Sequence, residues 1–318
     1  MKTFVFVSLA FAILFFALES VPGHATTFTQ LTFRPAASDL DPAWSPDATT
    51  IVFCSDSPSW SIWRIPVSGG SATYLFPGAD PCWSPDGSKI AFTSLGGEIC
   101  VAPANGGAIT QLTFMMPTRS QGNPAWSPDG STIAFSSDDL SYRPTPAPQI
   151  WTVPTTGGTP TRLIYQLFQQ PCWSPDGSHL TFSSGYVGLA SFIFVGRSDG
   201  SEVIQITSCP PSNNSYDSGP AWSPDGRWIA FHSAGRSSKG ADCDIWFVSP
   251  SGGTPIPVTQ EGDAFTCAGA PSWSPDSRSI AFSANWSGDS EIWLASELPG
   301  TPTSVNETTW GRIKVLFK

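Results

Sequence analysis

Charge is scarce in this sequence: Asp, Glu, Lys and Arg make up 13% of 318 residues, about half the usual ~25%. What charge exists is lopsided, with 15 basic residues against 25 acidic ones and a net charge of −10. A chain this acidic offers no basic face to phosphate, which excludes nucleic acid and anionic lipid head groups as natural partners. Histidine is nearly missing. Beyond His24 in the N-terminal leader only His179 and His232 remain, too few for a histidine-rich metal site and badly placed for a Ser-His-Asp triad. Long apolar runs are missing after residue 26, so no later segment reads as a membrane-spanning helix. The seven cysteines show no Cys-x-x-Cys spacing, and their odd number means that not all pair within the chain. A sustained 3.6-residue apolar period is missing too, which excludes helical repeats.

What is present is turn-forming and aromatic. Glycine and proline total 29 + 31 = 60, yet 40% of residues are hydrophobic and 14 are tryptophan. A disordered chain would not carry that apolar load. Residues 1–25 stand apart: Lys2, then an apolar run from Phe4 to Leu18, then Pro22-Gly23-His24-Ala25. They read as a secretory signal peptide cleaved near Ala25, placing the mature chain in the periplasm or outside the cell.

One phrase organises the remainder. Pro42-Ala43-Trp44-Ser45-Pro46-Asp47 returns from Pro81, Pro124, Pro171, Pro220 and Pro271, with tryptophans at 44, 83, 126, 173, 222 and 273. Each phrase leads into an apolar run such as Ile90-Ala91-Phe92, then a loop, a second run such as Ile150-Trp151, a glycine pair, and a Thr-rich run such as Thr110-Gln111-Leu112-Thr113. Four short strands per repeat, repeated six times, predict an all-β, six-bladed β-propeller over residues 26–298. Phe28-Thr29-Gln30-Leu31-Thr32 matches a fourth-strand run, while the last repeat lacks one. The N-terminal run is therefore expected to close the ring as the outer strand of the last blade.

The phrase Pro-Ala-Trp-Ser-Pro-Asp-Gly, followed by Ile-Ala-Phe, Ile-Trp, Gly-Gly and Leu-Thr, resembles the WD-like repeat of the TolB family of propellers. The resemblance implies the six-bladed fold. Similar repeats precede serine peptidase domains, but the chain has no hydrolase domain of that size, and no Gly-x-Ser-x-Gly elbow is expected.

In such a fold the Ser-Pro-Asp turns and the glycine pairs share one uniform face, and the irregular loops share the other. Binding belongs on the irregular side. There 11 acids (Asp39, Asp41, Asp56, Asp80, Asp138, Asp139, Asp217, Asp242, Glu261, Asp263, Asp289) face five bases (Arg34, Arg119, Arg143, Arg236, Lys239). The plain reading is a solvated acidic rim that aids solubility. The residues just before each repeat proline are Asp41, Asp80, Asn123, Gln170, Gly219 and Ala270. They are expected to ring one mouth of the channel, where the first four could bind a polar ligand, with Asp41 and Asp80 as a weak cation candidate. Trp60 and Trp286 fall in loops outside the repeat and are candidates for partner contact, whereas the repeat tryptophans read as blade core. The six turn aspartates read as turn residues. Cys209, Cys243 and Cys267 all fall on the irregular side, and one disulfide including Cys243 is expected. Cys82, Cys100 and Cys172 read as buried small hydrophobes. Residues 299–318 form a tail outside the repeat. Together these features predict an exported, non-catalytic scaffold, without a cofactor, that binds a protein or peptide through its irregular face. The alternative is a glycan-active lyase or hydrolase using Asp41 or Asp80 as acid or base.

Overall fold

A computed structural model describes residues 26–34, 36–114, 121–139, 147–184, 190–208, 215–236, 243–259, 268–285 and 289–298. These residues hold 24 strands in six four-stranded antiparallel sheets and no helix. In chain order β1 is Thr27–Gln30. Blade 1 is β2 (Asp39–Trp44), β3 (Thr50–Ser55), β4 (Ser61–Pro66) and β5 (Thr73–Pro77). Blade 2 is β6 (Ala79–Trp83), β7 (Lys89–Thr93), β8 (Ile99–Pro103) and β9 (Thr110–Gln111). Blade 3 is β10 (Gln121–Trp126), β11 (Thr132–Asp139), β12 (Ala147–Pro154) and β13 (Thr161–Ile164). Blade 4 is β14 (Phe168–Trp173), β15 (His179–Ser184), β16 (Ile193–Arg197) and β17 (Ile204–Gln205). Blade 5 is β18 (Tyr216–Trp222), β19 (Ile229–Ala234), β20 (Cys243–Val248) and β21 (Ile256–Pro257). Blade 6 is β22 (Ala268–Trp273), β23 (Ser279–Ala284) and β24 (Glu291–Ser296), with β1 as its fourth strand.

The apolar residues pack between blades rather than within them. Val52, Ile62 and Phe76 of blade 1 meet Ile90, Phe92 and Cys100 of blade 2 in one cluster, and equivalent clusters fill the other five blade interfaces. That is why the second strands read as unbroken apolar runs: Ile51, Val52, Phe53 and Cys54 are all fully buried, because both faces of the sheet are covered. Every other repeat tryptophan reaches back to the preceding blade. Trp83, Trp173 and Trp273 donate Nε1–H to the carbonyls of Ala43, Ala125 and Ala221 at 3.1–3.2 Å.

Ring closure follows the expectation. Phe28 pairs with Ala295 and Thr29 with Leu294, and the Leu31 N–H donates to the Ile292 carbonyl at 2.8 Å. Glu291, 4% exposed, accepts from Thr32 Oγ1 and, at 2.9 Å, from the Arg34 N–H.

The Ser-Pro-Asp turns have the same wiring six times. In the first, Ser45 Oγ donates to Asp47 Oδ1 at 2.6 Å, the Ala48 N–H closes the turn on the Ser45 carbonyl at 3.0 Å, and the Thr49 N–H donates to Asp47 Oδ1. The hydrogen bonds hold Asp86 and Asp176 down at about 2, with Ser84 and Ser174 the leading causes. The fourth turn position is left-handed in every repeat, and the two non-glycines there, Ala48 and Ser277, both have φ of 60°. Ala48→Gly is therefore expected to raise stability by about 1 kcal/mol. Ser277→Gly should gain less, because Ser277 Oγ accepts the Asp225 N–H at 3.1 Å. Urea unfolding of the two variants checks the difference.

Two expectations need correction. The string Gly196-Arg197-Ser198-Asp199-Gly200 does have the spacing of a nucleophile elbow. It forms the hairpin between β16 and β17, with the Gly200 N–H on the Arg197 carbonyl at 2.8 Å, and a hairpin lacks the strand-to-helix turn that exposes a nucleophile. The acidic rim is also less solvated than its composition implies. Asp39 and Asp217 are fully buried, each against an arginine of the same irregular side: Arg34 at 3.2 Å and Arg236. Their charges are spent inside the protein.

Candidate functional site

Each inner strand carries one extra residue at the mouth of the channel. In β2 the register shifts between Leu40 and Ala43, so Asp41 and Pro42 together face one residue of β3, a bulge that recurs in all six blades. The first bulge residue is left-handed throughout: Asp41 φ 51°, Asp80 51°, Asn123 53°, Gln170 56°, Gly219 60° and Ala270 38°. Asp, Asn and Gly tolerate that conformation best, so the backbone accounts for part of the residue choice at four of the six positions.

The six residues do ring one mouth, as expected, and with their prolines they line a cavity of about 140 Å³. Some of them also staple blades together. Asp80 Oδ2 accepts from Thr93 Oγ1 at 2.8 Å and from the Asn123 N–H of the next blade at 3.2 Å. Gln170 Oε1 accepts from Ser183 Oγ and from the Gly219 N–H of the next blade, both at 2.9 Å. With both those bonds satisfied inside the protein, Gln170 serves the ring first.

Asp41 is different. Its one side-chain partner among the described residues is the Cys54 thiol, at 3.4 Å to Oδ2. Burial, with the neighbouring Asp80 charge adding to it, pushes the Asp41 carboxyl up to about 6. Among the described residues neither Asp41 nor Asp80 has a basic partner. A second cavity, of about 380 Å³, opens outward from this pair, walled by Trp60, Thr93, Leu95 and Gln121. Trp60 is 42% exposed and Leu95 62%. The structure thus brings Asp41, Asp80 and Trp60 into one groove over blades 1 and 2, while Asn123 and Gln170 lie further round the mouth. Trp286, Cys209 and Cys267 lie outside the described residues. Cys243 begins β20, opposite Ala234.

Two features escaped the sequence reading. Leu95 is one; a lone leucine in a loop carries no signal. The other is His232, which lies under the blade 5 bulge with Nε2 2.8 Å from Ser218 Oγ. A Cβ on Gly219 would approach His232 Nδ1 to 3.3 Å, so the imidazole takes up space that a bulge side chain would otherwise use. Burial pushes its pKa down to about 4 and keeps it neutral. The signal was available: Gly219 is the one glycine of the ring, and the matching second-strand positions hold Cys54, Thr93, Ser136, Ser183 and Ser283. Cys82 and Cys172 are half-buried rather than buried; burial still pushes their thiols up, to about 11 and about 12.

Comparison with known proteins finds both TolB proteins and enzymes among propellers of this fold. Over 127 residues, 37% of this chain, the sequence is 33% identical to the Tol-Pal system protein TolB of Desulfosudis oleivorans. A protein described as TolB from Agrobacterium tumefaciens superposes with a TM-score of 0.63 at 23% identity, over 83% of this chain and 91% of that one. This chain is a TolB-like propeller. The sequence match spans 26% of the Desulfosudis protein's own length, and no known family profile matches the chain. An oligogalacturonate lyase in complex with manganese shares the fold, with a TM-score of 0.61 at 15% identity, over 86% of this chain and 94% of the lyase. Among the described residues of the TolB-like propeller, no group of three or more His, Cys, Asp or Glu side chains could hold a metal ion.

Proposed function

We propose that this TolB-like propeller is an exported scaffold that binds a protein or peptide at its irregular face, with the groove over blades 1 and 2 as the anchor. The observation that carries the reading is a half-buried carboxylate pair without a basic partner, opening into a groove walled by exposed Trp60 and Leu95. A cationic side chain or an amino terminus would pair with Asp41 and Asp80, and an apolar neighbour would lie against Trp60. Aromatic anchors of this kind dominate protein interfaces. Phe33, Phe114, Tyr165 and Tyr216 are also exposed on this side. The apolar leader of residues 4–18 supports export to the periplasm or beyond.

The test is a titration of fluorescent Lys- and Arg-containing peptides against the protein. Binding should weaken as the Debye length falls from ~10 Å at 0.1 M salt to ~3 Å at 1 M. It should also weaken as pH drops through 6, because protonating Asp41 removes its charge. A preference for acidic peptides, or indifference to salt and pH, would refute this reading. The second reading is a glycan-active enzyme, favoured by the Asp41 carboxyl near 6, where it could exchange protons at working pH. Turnover of any member of a polysaccharide panel, lost in Asp41→Asn, would establish it.

A further inference from the structure

The opposite mouth of the channel has a different chemistry. Five repeat tryptophans (Trp44, Trp126, Trp173, Trp222 and Trp273) and all six turn prolines line an opening of about 370 Å³ on the uniform face. Around this apolar opening stand the six turn aspartates. Hydrogen bonds from the serine two residues earlier hold Asp47, Asp86, Asp129 and Asp176 below the usual carboxylate range. Bases share this face: Lys89, Arg278, Arg64 on Asn105, Arg227 on Asp225 and Arg197 on Glu202. Counting Asp199, Glu202 and Glu297 as well, the acids exceed them by 9 − 5 = 4.

The chain leaves blade 6 at this same face. Ser296 ends β24 opposite Ser279, beside the last Ser-Pro-Asp turn, and Leu298 is buried, 3% exposed. Strand β24 is third in its blade, two strand spacings or about 10 Å from the channel wall. The residues that follow, 299–318, contain Trp310, Ile313, Val315, Leu316 and Phe317 interleaved with Arg312, Lys314 and Lys318, against one acid, Glu307. Twelve extended residues from Leu298 to Trp310 reach about 40 Å, far more than the distance needed.

We propose that residues 310–317 fold back and occupy the Trp/Pro mouth of their own propeller. The apolar side chains fill the opening, and the three bases lie among the turn aspartates. The apolar contacts carry the docking, and the charges fix its direction, because the net charges involved are only +2 on the tail and −4 on the face. An occupied uniform mouth leaves the Asp41/Asp80 mouth as the open end of the channel.

The test uses the full chain with Phe317 replaced by photoreactive benzoylphenylalanine. Irradiation should give a cross-link within one chain, at a yield unaffected by dilution, mapping to peptides that contain the turn prolines or repeat tryptophans. In a parallel experiment Val315→Asp/Phe317→Asp should speed tryptic cleavage after Arg312 at least tenfold. The variant alters no blade residue, so it tests docking rather than folding. Cross-links to the irregular face, cross-links between chains, no cross-link, or equal cleavage rates would each overturn the proposal.

Discussion

Asp41→Asn should make the protein more stable at pH 7, by up to about 3 kcal/mol. The carboxyl titrates near 3.8 when solvated and at about 6 in the folded chain, raised first by burial and then by Asp80. Between those values the folded state holds a proton that the unfolded chain has released. The resulting stabilisation is full below about 4 and lost as pH rises through 6. At neutral pH the protein therefore carries a half-buried charge worth about two units of pKa, at ~1.4 kcal/mol each. Asparagine removes the charge and keeps an acceptor for the Cys54 thiol. It also suits the backbone, since blade 3 already places Asn123 at the same left-handed position. Other groups titrate in this window: Asp39, raised by burial to about 6, acts in the same direction as Asp41. His232, lowered to about 4, acts in the opposite one. The informative quantity is thus the difference between variant and parent in urea unfolding at pH 4, 5, 6 and 7. It should grow from near zero to its maximum across that range. A variant that is equally stable or less stable at pH 7 would mean that Asp41 costs the fold nothing, and the strongest reason to read it as a retained binding group would be lost.

Removing residues 26–33 should destabilise the whole ring rather than fray one blade. The segment supplies the outer strand of blade 6, and Leu31 lies in the cluster between blades 6 and 1 with Ile51, Phe53 and Ile292. Its loss also leaves the buried Glu291 carboxylate without Thr32 Oγ1 and the Ile292 N–H without its acceptor. Losing one buried leucine costs about 2–5 kcal/mol, and each buried polar group left unpaired costs about 1–3 kcal/mol. The sum is on the order of 5 kcal/mol, or roughly 10–20 °C in Tm at the ~2–4 °C per kcal/mol of a chain this size. Calorimetry should show one transition, shifted down. A parent-like main transition preceded by a small separate one would show that closure by β1 does not hold the ring.

The sequence made the ring legible because each blade repeats the same solution. Trp44, Trp83 and their counterparts mark the end of an inner strand, and Ser-Pro-Asp-Gly marks the turn after it. The placement of Asp41 and Asp80 at one mouth was legible too, since the residue before each repeat proline had to sit at a strand start on the irregular side, whereas Trp60 read only as a loop residue and its place beside them did not. What could not be read was the bulge. Two residues facing one is a property of the pairing, and without it the left-handed backbone at Asp41 and the staple from Asp80 to the Asn123 N–H stay hidden. Burial of Asp39 and Asp217 was hidden for a related reason. Composition placed them on a rim, whereas Arg34 and Arg236 draw them into the protein by contacts that no count of charges reveals.

The most direct test of the proposed binding face is affinity isolation from an extract of the native cells, run in parallel with the parent protein, Asp41→Asn/Asp80→Asn and Asp129→Asn. Both aspartates have isosteric replacements and Asp129 belongs to a turn on the other face, so all three proteins should fold. The expected result is a stoichiometric protein partner held by the parent and by Asp129→Asn and lost from the channel double variant. A partner kept by the double variant and lost from the turn variant would place binding on the wrong face and contradict the account.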